Sequence, residues 1–350
     1  MRNKAVIFFI FLLIPAVLMG QDSGRRNYND TQRNKVFEFI TFTVDGSEYR
    51  TVEAERPSVA ITSANKYVGG TYKIPSAISY EGKDYEVVMI EKNAFDDRNL
   101  ITSIEIPPTI TSIKEHAFAK CVNLKKVEIT DLEAWLRIKF EINSNPLEYA
   151  HYLFVKGKEL KSLTVPHSIR EINDYAFVGC WSLNVINVTT NVRTIGSWAF
   201  SQCKNMNYAT ISSGVNTIGN SAFSYCEKLT VLTLPFSVKS VGSWAFSNCD
   251  KLKTVYLPEK LTVIPWGMFD NCTSLSEIKL PDKLTSIEKH AFGGCEKLTS
   301  IDIPQSVNTI GDNAFLNCVK LKTVILPSWM KDSRLDDYFK NCPLKSIKYH

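Results

Sequence analysis

Seven phenylalanines, Phe177, Phe200, Phe223, Phe246, Phe269, Phe292 and Phe315, follow one another at intervals of 23 residues, and Phe95 and Phe118 stand 23 apart in the same context. Most are preceded by alanine. The same register carries Cys180, Cys203, Cys226, Cys249, Cys272, Cys295 and Cys318, each three residues after its phenylalanine. Cys121 follows Phe118 in the same way, and Cys342 follows Phe339 after one 24-residue step, so all nine cysteines share one repeat position. A coil of about 23 residues cannot bury its own apolar edge. Only stacking coil on coil closes a core, which commits the chain to an open solenoid.

One unit shows how a coil is built. Val255-x-Leu257 has the period-two alternation of a short strand with one face inward, and Pro258 ends it because proline cannot donate to a ladder. Leu261-x-x-Ile264 and then Met268-Phe269 predict a second extended piece and a short helical turn on the opposite side. A period in the range of about 20–29 with this spacing of apolar residues marks a leucine-rich-repeat solenoid. The expected fold is mainly β, with short parallel strands, short helical turns and an N-terminal β cap. At a ladder spacing of about 4.8 Å, about ten coils give a body roughly 50 Å long.

Departures from the period define the domains. Residues 1–20, with basic Arg2 and Lys4, an apolar run from Ala5 to Met19 and small Gly20, read as a secretory signal peptide. That run is short for a membrane anchor, and no later segment could span a bilayer. Residues 21–34 read as a polar linker. Residues 35–90 lack the register but alternate polar and apolar, with a hairpin expected around Glu81-Gly82-Lys83, and form the N-terminal β cap that covers the first apolar edge. The solenoid is assigned to residues 91–350. Between Cys121 and Cys180 one repeat is enlarged at about 131–160, where an inserted helix and loop are expected to bulge from one face.

Charge is balanced: 41 Lys and Arg against 36 Asp and Glu give +5, two of which belong to Arg2 and Lys4. This argues against a nucleic-acid partner. The cysteine column reads as a row of small buried free thiols, because pairing neighbours would break the equivalence of the coils. Scattered disulfides are the other reading for an exported chain. No paired Cys-x-x-Cys suggests a metal site, and no cofactor is expected. His116 with Cys121 and His290 with Cys295 resemble nucleophile pairs, but both histidines sit two before phenylalanine in a slot otherwise held by Tyr175, Trp198, Ser221, Trp244 and Asn313. No hydrolase or phosphate-binding motif is present. A non-enzymatic protein is therefore expected, with an unrecognised hydrolase the least favoured reading.

The repeated Leu-x-x-Ile-x-Ile/Leu-Pro, Ile-Gly-x-x-Ala-Phe and Phe-x-x-Cys elements, as in Ile310-Gly311-Asp312-Asn313-Ala314-Phe315 and Phe315-Leu316-Asn317-Cys318, resemble the leucine-rich-repeat family typified by the bacterial surface antigen BspA. The resemblance covers roughly residues 70–350. It implies a secreted or cell-surface protein of host-associated bacteria or protists, and adhesion through binding of matrix or plasma proteins. A monomer is expected.

Binding surfaces follow from the strand alternation. Tyr208 and Thr210, Val231 and Thr233, Thr254 and Tyr256, Glu277 and Lys279, and Ser300 and Asp302 flank inward residues and should face outward. The partner-binding candidates among them are Tyr208, Thr210, Thr233, Thr254, Tyr256 and Lys279, for an extracellular protein. Trp198 and Trp244, with Trp266 one place out of register, form an aromatic row. That row packs between coils or, alternatively, stacks on carbohydrate.

Overall fold

The computed structural model describes residues 39–350, so the signal peptide, the linker and the first four residues of the expected cap lie outside the described residues. The repeat forms a stack of coils held by two parallel ladders. One ladder uses the strand before each proline: Ser162–Thr164, Val185–Val188 and Tyr208–Ile211 pair in sequence, with Ser162 opposite Val185 and Val185 opposite Tyr208. The other uses the two-residue strands Glu171–Ile172, Thr194–Ile195, Thr217–Ile218 and Ser240–Val241. In these strands partners are one 23-residue period apart, so each inward isoleucine or valine meets its equivalent.

The turn after the second strand supplies a third set of bonds between coils. Overlapping i to i+3 turns close it, and Phe177, Phe200, Phe223 and Phe292 each donate their amide to the alanine carbonyl of the next coil at 2.8 Å. Two residues per turn, two before and two after phenylalanine, take the left-handed region. Asparagine and glycine recur at the second position, at Asn248, Asn271, Gly294, Asn317 and Asn341, because they tolerate positive φ at least cost. These kinks stop the turn from extending into a helix and aim its amides along the solenoid axis.

The phenylalanines stack in a buried column, with Phe177–Phe200, Phe200–Phe223 and Phe223–Phe246 centroids 5.4, 5.3 and 5.4 Å apart. Tyr72 meets Phe95 edge-on at one end, and Phe339 stacks on Phe315 at the other. Beside them runs the thiol column, in which every cysteine but Cys180 donates to a phenylalanine carbonyl of the preceding coil, as Cys203 Sγ does to Phe177 O at 3.3 Å, while Cys180 Sγ lies 3.3 Å from Ser182 Oγ. A small apolar residue that can also donate weakly suits a carbonyl facing the core.

The start of the described chain is antiparallel. Thr41–Val44, Ser47–Val52 and Ser58–Ser63 form a meander, and Tyr80 pairs with Lys83 across a turn at Glu81 and Gly82, both at positive φ. Ser58–Ser63 and Gly70–Lys73 already pair in parallel with later strands, so the ladders reach back into this region.

The enlarged repeat is woven into the stack. Helix Leu132–Arg137 buries Trp135 and Leu136, and helix Leu147–Ala150 buries Leu147 and Ala150. Lys139–Phe140 and Leu153–Val155 pair in parallel with the coil before. The amides of helix Leu147–Ala150 are turned along its own axis, so side chains replace the missing bonds between coils. Asn145 Nδ2 donates to Tyr175 O and Ala176 O at 2.9 and 3.1 Å, and Trp135 Nε1 donates to Ala176 O at 3.0 Å. The insertion therefore packs inward where a bulge is expected from sequence, because its apolar residues must cover the edges of two neighbouring coils.

Gly179, in the following coil, lies against this helix. Its φ is +72°, and a β-carbon there would lie 3.0 Å from Leu147 O and 3.2 Å from Glu148 Cα. At the equivalent Gly294 the obstacle is the movable side chain of Asn271. Gly179→Ala is expected to cost about 2 kcal/mol or more, and Gly294→Ala clearly less, by urea denaturation. Equal losses would show that left-handed strain alone, and not contact with the inserted helix, sets the cost.

Candidate functional site

Alternation along the first ladder sends one residue of each strand inward and its two neighbours out. Ala209, Leu232, Val255, Ile278 and Ile301 are buried, whereas Tyr208, Thr210, Val231, Thr233, Tyr256, Glu277, Lys279, Ser300 and Asp302 are exposed and Thr254 is half-buried. The outward pairs of successive coils therefore form two columns along one face. Tyr208 and Tyr256 are 56% and 58% exposed, values that leave most of each ring available for contact.

Charge divides this face. From Val185 to Tyr256 the outward strand residues are Val185, Asn187, Tyr208, Thr210, Val231, Thr233, Thr254 and Tyr256, none of them an acidic or basic residue. On one side lie the Glu105–Lys73 and Glu128–Lys126 ion pairs, on the other Glu277, Lys279 and Asp302. Lys279 thus stands at the border of the uncharged window. Phe236, 70% exposed and next to Pro235, adds an aromatic ring that sequence reasoning missed. The signal was available: other coils place Thr190, Ser213, Glu259, Asp282, Gln305 or Ser328 in that slot.

The tryptophans do not make a continuous row. Trp198 and Trp244 hold equivalent slots two coils apart, and buried Ser221 occupies the slot between them. Trp244 lies over Gly267 of the next coil, where a β-carbon would come within 2.3 Å of its ring. The Trp266 ring stands 5.9 Å from Trp244 at 42°, and it is 46% exposed. Packing between coils accounts for Trp244, while Trp198 and Trp266 keep an open face.

The histidines of the suspected nucleophile pairs meet carboxylates. His116 Nε2 is 3.2 Å from Glu115, and His290 Nδ1 is 4.0 Å from Asp270. Cys121 and Cys295 are buried and donate to Phe95 O and Phe269 O. Burial pushes the thiols of Cys121 and Cys180 up to about 11 and that of Cys249 to about 12, so thiolate is scarce near neutrality. Among the described residues no group of three or more His, Cys, Asp or Glu is placed to hold a metal ion.

All nine cysteines are free: eight are buried and Cys342 is half-buried. The neighbouring Cys318 thiol holds the Cys342 thiol below its ordinary value. A thiol reagent at mildly alkaline pH should therefore label Cys342 quickly and the others only after denaturant is added. Rapid labelling of several thiols in the native protein would mean that the coils open far more easily than their packing implies.

The parallel coils, the two ladders and the buried leucine, isoleucine and phenylalanine spine define a leucine-rich-repeat solenoid. A family model described as "BspA type Leucine rich repeat region (6 copies)" matches residues 88–134, 147–272 and 245–350. This chain belongs to that family, whose repeats point to a protein-interaction role.

An uncharacterized protein of Methanocaldococcus jannaschii is 27% identical over 134 residues, spanning 38% of this chain and 68% of that one. Among solved structures, the pneumococcal vaccine antigen PcpA is 19% identical, with 89% of this chain and 88% of that one covered at a TM-score of 0.53. A leucine rich cell surface protein of Faecalibacterium prausnitzii is 24% identical, with 81% and 94% covered at a TM-score of 0.41. Among the described residues no helix is long and apolar enough to cross a membrane.

Proposed function

We propose that this protein is an exported, non-enzymatic adhesin that seats an extracellular protein, of the matrix or plasma type, on the uncharged window of its strand face. The observation that carries the reading is the coincidence of exposed Tyr208, Val231, Phe236 and Tyr256 on three successive coils with the absence of charge between them. Aromatic rings on a packed stack of coils bury area at little entropic cost, and tyrosine keeps a polar tip at the rim of the contact. Threonines at Thr210, Thr233 and Thr254 supply short hydroxyls around the rings, and Lys279 sets a charged rim.

Export by residues 1–20 and display at the cell surface belong to the same proposal. The test is capture of matrix and serum proteins by the immobilised chain, followed by affinity measurement with the double variant Tyr208→Ala/Tyr256→Ala. Loss of about 2 kcal/mol or more, at least tenfold in Kd, is expected if these rings are the central contacts. Trp198→Ala, on the turn side, should leave Kd unchanged. A captured partner that ignores the tyrosines but needs Trp198 would place the contact on the opposite side of the solenoid.

A further inference from the structure

In the regular coils after the enlarged repeat, the second ladder breaks between Ser240–Val241 and Val263–Ile264, and a groove has formed there. Gly219, Gly242, Glu288 and Gly311 donate their amides to the Ile195, Ile218, Ile264 and Ile287 carbonyls of the preceding coil at 2.8–2.9 Å. At the equivalent position stands Pro265, which has no N–H to give to Val241. The break extends beyond the proline. Arg193, Asn216 and Thr262 carbonyls accept from the next coil, but Lys239 O receives no bond from Thr262 or Val263, and the strands Ser240–Val241 and Val263–Ile264 belong to separate sheets. On the other side of the solenoid the same two coils stay pinned, with Val231 opposite Thr254 and Thr233 opposite Tyr256.

The result is a wedge of about 350 Å³ between the coils. It is lined by Asn220, Ser240, Ser243 and Thr262, with Lys239 and Glu288 also on its lining. Asn220 Oδ1 and one Glu288 oxygen are occupied by the Ser243 and Trp266 amides at 2.9 Å. The hydroxyls, the Asn220 NH2 and the unpaired ladder groups of residues 239–241 and 262–263 remain to bind. Trp266, the exposed ring beside Trp244, follows Pro265 directly in the chain.

We infer that this wedge is a binding site for a neutral sugar unit of a glycan. Unpaired backbone amides and carbonyls side by side need a ligand that donates and accepts at short spacing, which ring hydroxyls do. Short hydroxyl and amide side chains extend the same chemistry without a net charge to select an ion. The Trp266 indole is not on the lining of the wedge, but it follows Pro265 in the chain, is exposed, and offers an apolar face to the part of a sugar that extends beyond the wedge. An extended peptide fits less well, because the pinned opposite ladder holds the gap to a wedge and leaves no slot for a full strand. The inference does not rest on the strand-face reading, and Tyr208 and Tyr256 are not part of this site.

The experiment uses the full chain and a panel of neutral oligosaccharides of glucose, galactose, mannose and N-acetylhexosamines, read by tryptophan fluorescence and calorimetry. At least one should bind saturably and move the tryptophan emission. Trp266→Ala should weaken it by about threefold or more, as expected for an aromatic contact beside the wedge. Pro265→Gly, which restores the residue found at Gly196, Gly219 and Gly242, should close the ladder and abolish binding while keeping both indoles. Tyr208→Ala/Tyr256→Ala should bind sugar as the parent does. Absence of binding across the panel, or equal binding by Trp266→Ala and Pro265→Gly, overturns the inference. So does a capped neutral tripeptide such as Ser-Thr-Ser that shifts Trp266 emission where no sugar does, since the wedge would then be a peptide site.

Discussion

Phe246→Ala is expected to cost about 3–5 kcal/mol and to split unfolding of the solenoid into two transitions. Phe246 is fully buried, 5.4 Å from Phe223 and 6.1 Å from Phe269 in the stacked column. Its backbone donates to Met268 O, so its coil is tied to the next through the turn as well as through the ring. Truncation leaves a ring-sized void that neither neighbour can fill, because each is fixed by its own coil. In a linear array every coil touches only its neighbours, so weakening one interface in the middle uncouples the two halves. Urea unfolding followed by tryptophan fluorescence and by circular dichroism should show non-coincident curves for the variant. Phe236→Ala, on the exposed ring, should stay within about 0.5 kcal/mol of the parent. If Phe246→Ala lowers stability by less than about 1 kcal/mol with one sharp transition, the phenylalanine column is not the spine.

The same column explains what could be read from sequence. A 23-residue period with fixed phenylalanine, cysteine, leucine and proline slots determines which residues meet in the ladders, because only one register superposes all of them. The outward orientation of Tyr208, Thr210, Thr233, Tyr256 and Lys279 follows from the same alternation. What was not legible lies where one coil differs from the next. Trp135 and Asn145 read as part of an external insertion, yet they supply hydrogen bonds to Tyr175 O and Ala176 O that a regular coil would supply from its backbone. The consensus also hides Pro265, since one residue in a tolerant slot carries no periodic signal. Its effect on the amides of Thr262 and Val263 emerges only when the two coils are placed side by side.

Glu148→Gln is expected to stabilise the protein above neutrality and to do nothing in acid. Glu148 lies on the inserted helix Leu147–Ala150, and its Oε1 is buried with no hydrogen-bond partner. Burial raises its carboxyl from 4.5 to about 7, while a backbone hydrogen bond with Asn145 opposes the rise. Between those two values the folded protein keeps a proton that the unfolded chain has released. Stability therefore falls as pH rises through this window, reaches its full loss above about 7, and is unaffected well below 4.5, where both states are protonated. Glutamine is neutral at every pH and nearly the same shape, so the variant removes this loss alone. The gain should be about 2 kcal/mol in mildly alkaline solution and vanish in acid. Asp270, raised to about 6 by burial, slopes in the same direction, so both proteins retain part of the decline and only their difference reports on Glu148. A constant offset between parent and variant from acid to alkaline pH would mean that the carboxyl is solvated in the native coil. The inserted helix would then sit less tightly against Gly179 than it must if a β-carbon there were to come within 3.2 Å of Glu148 Cα.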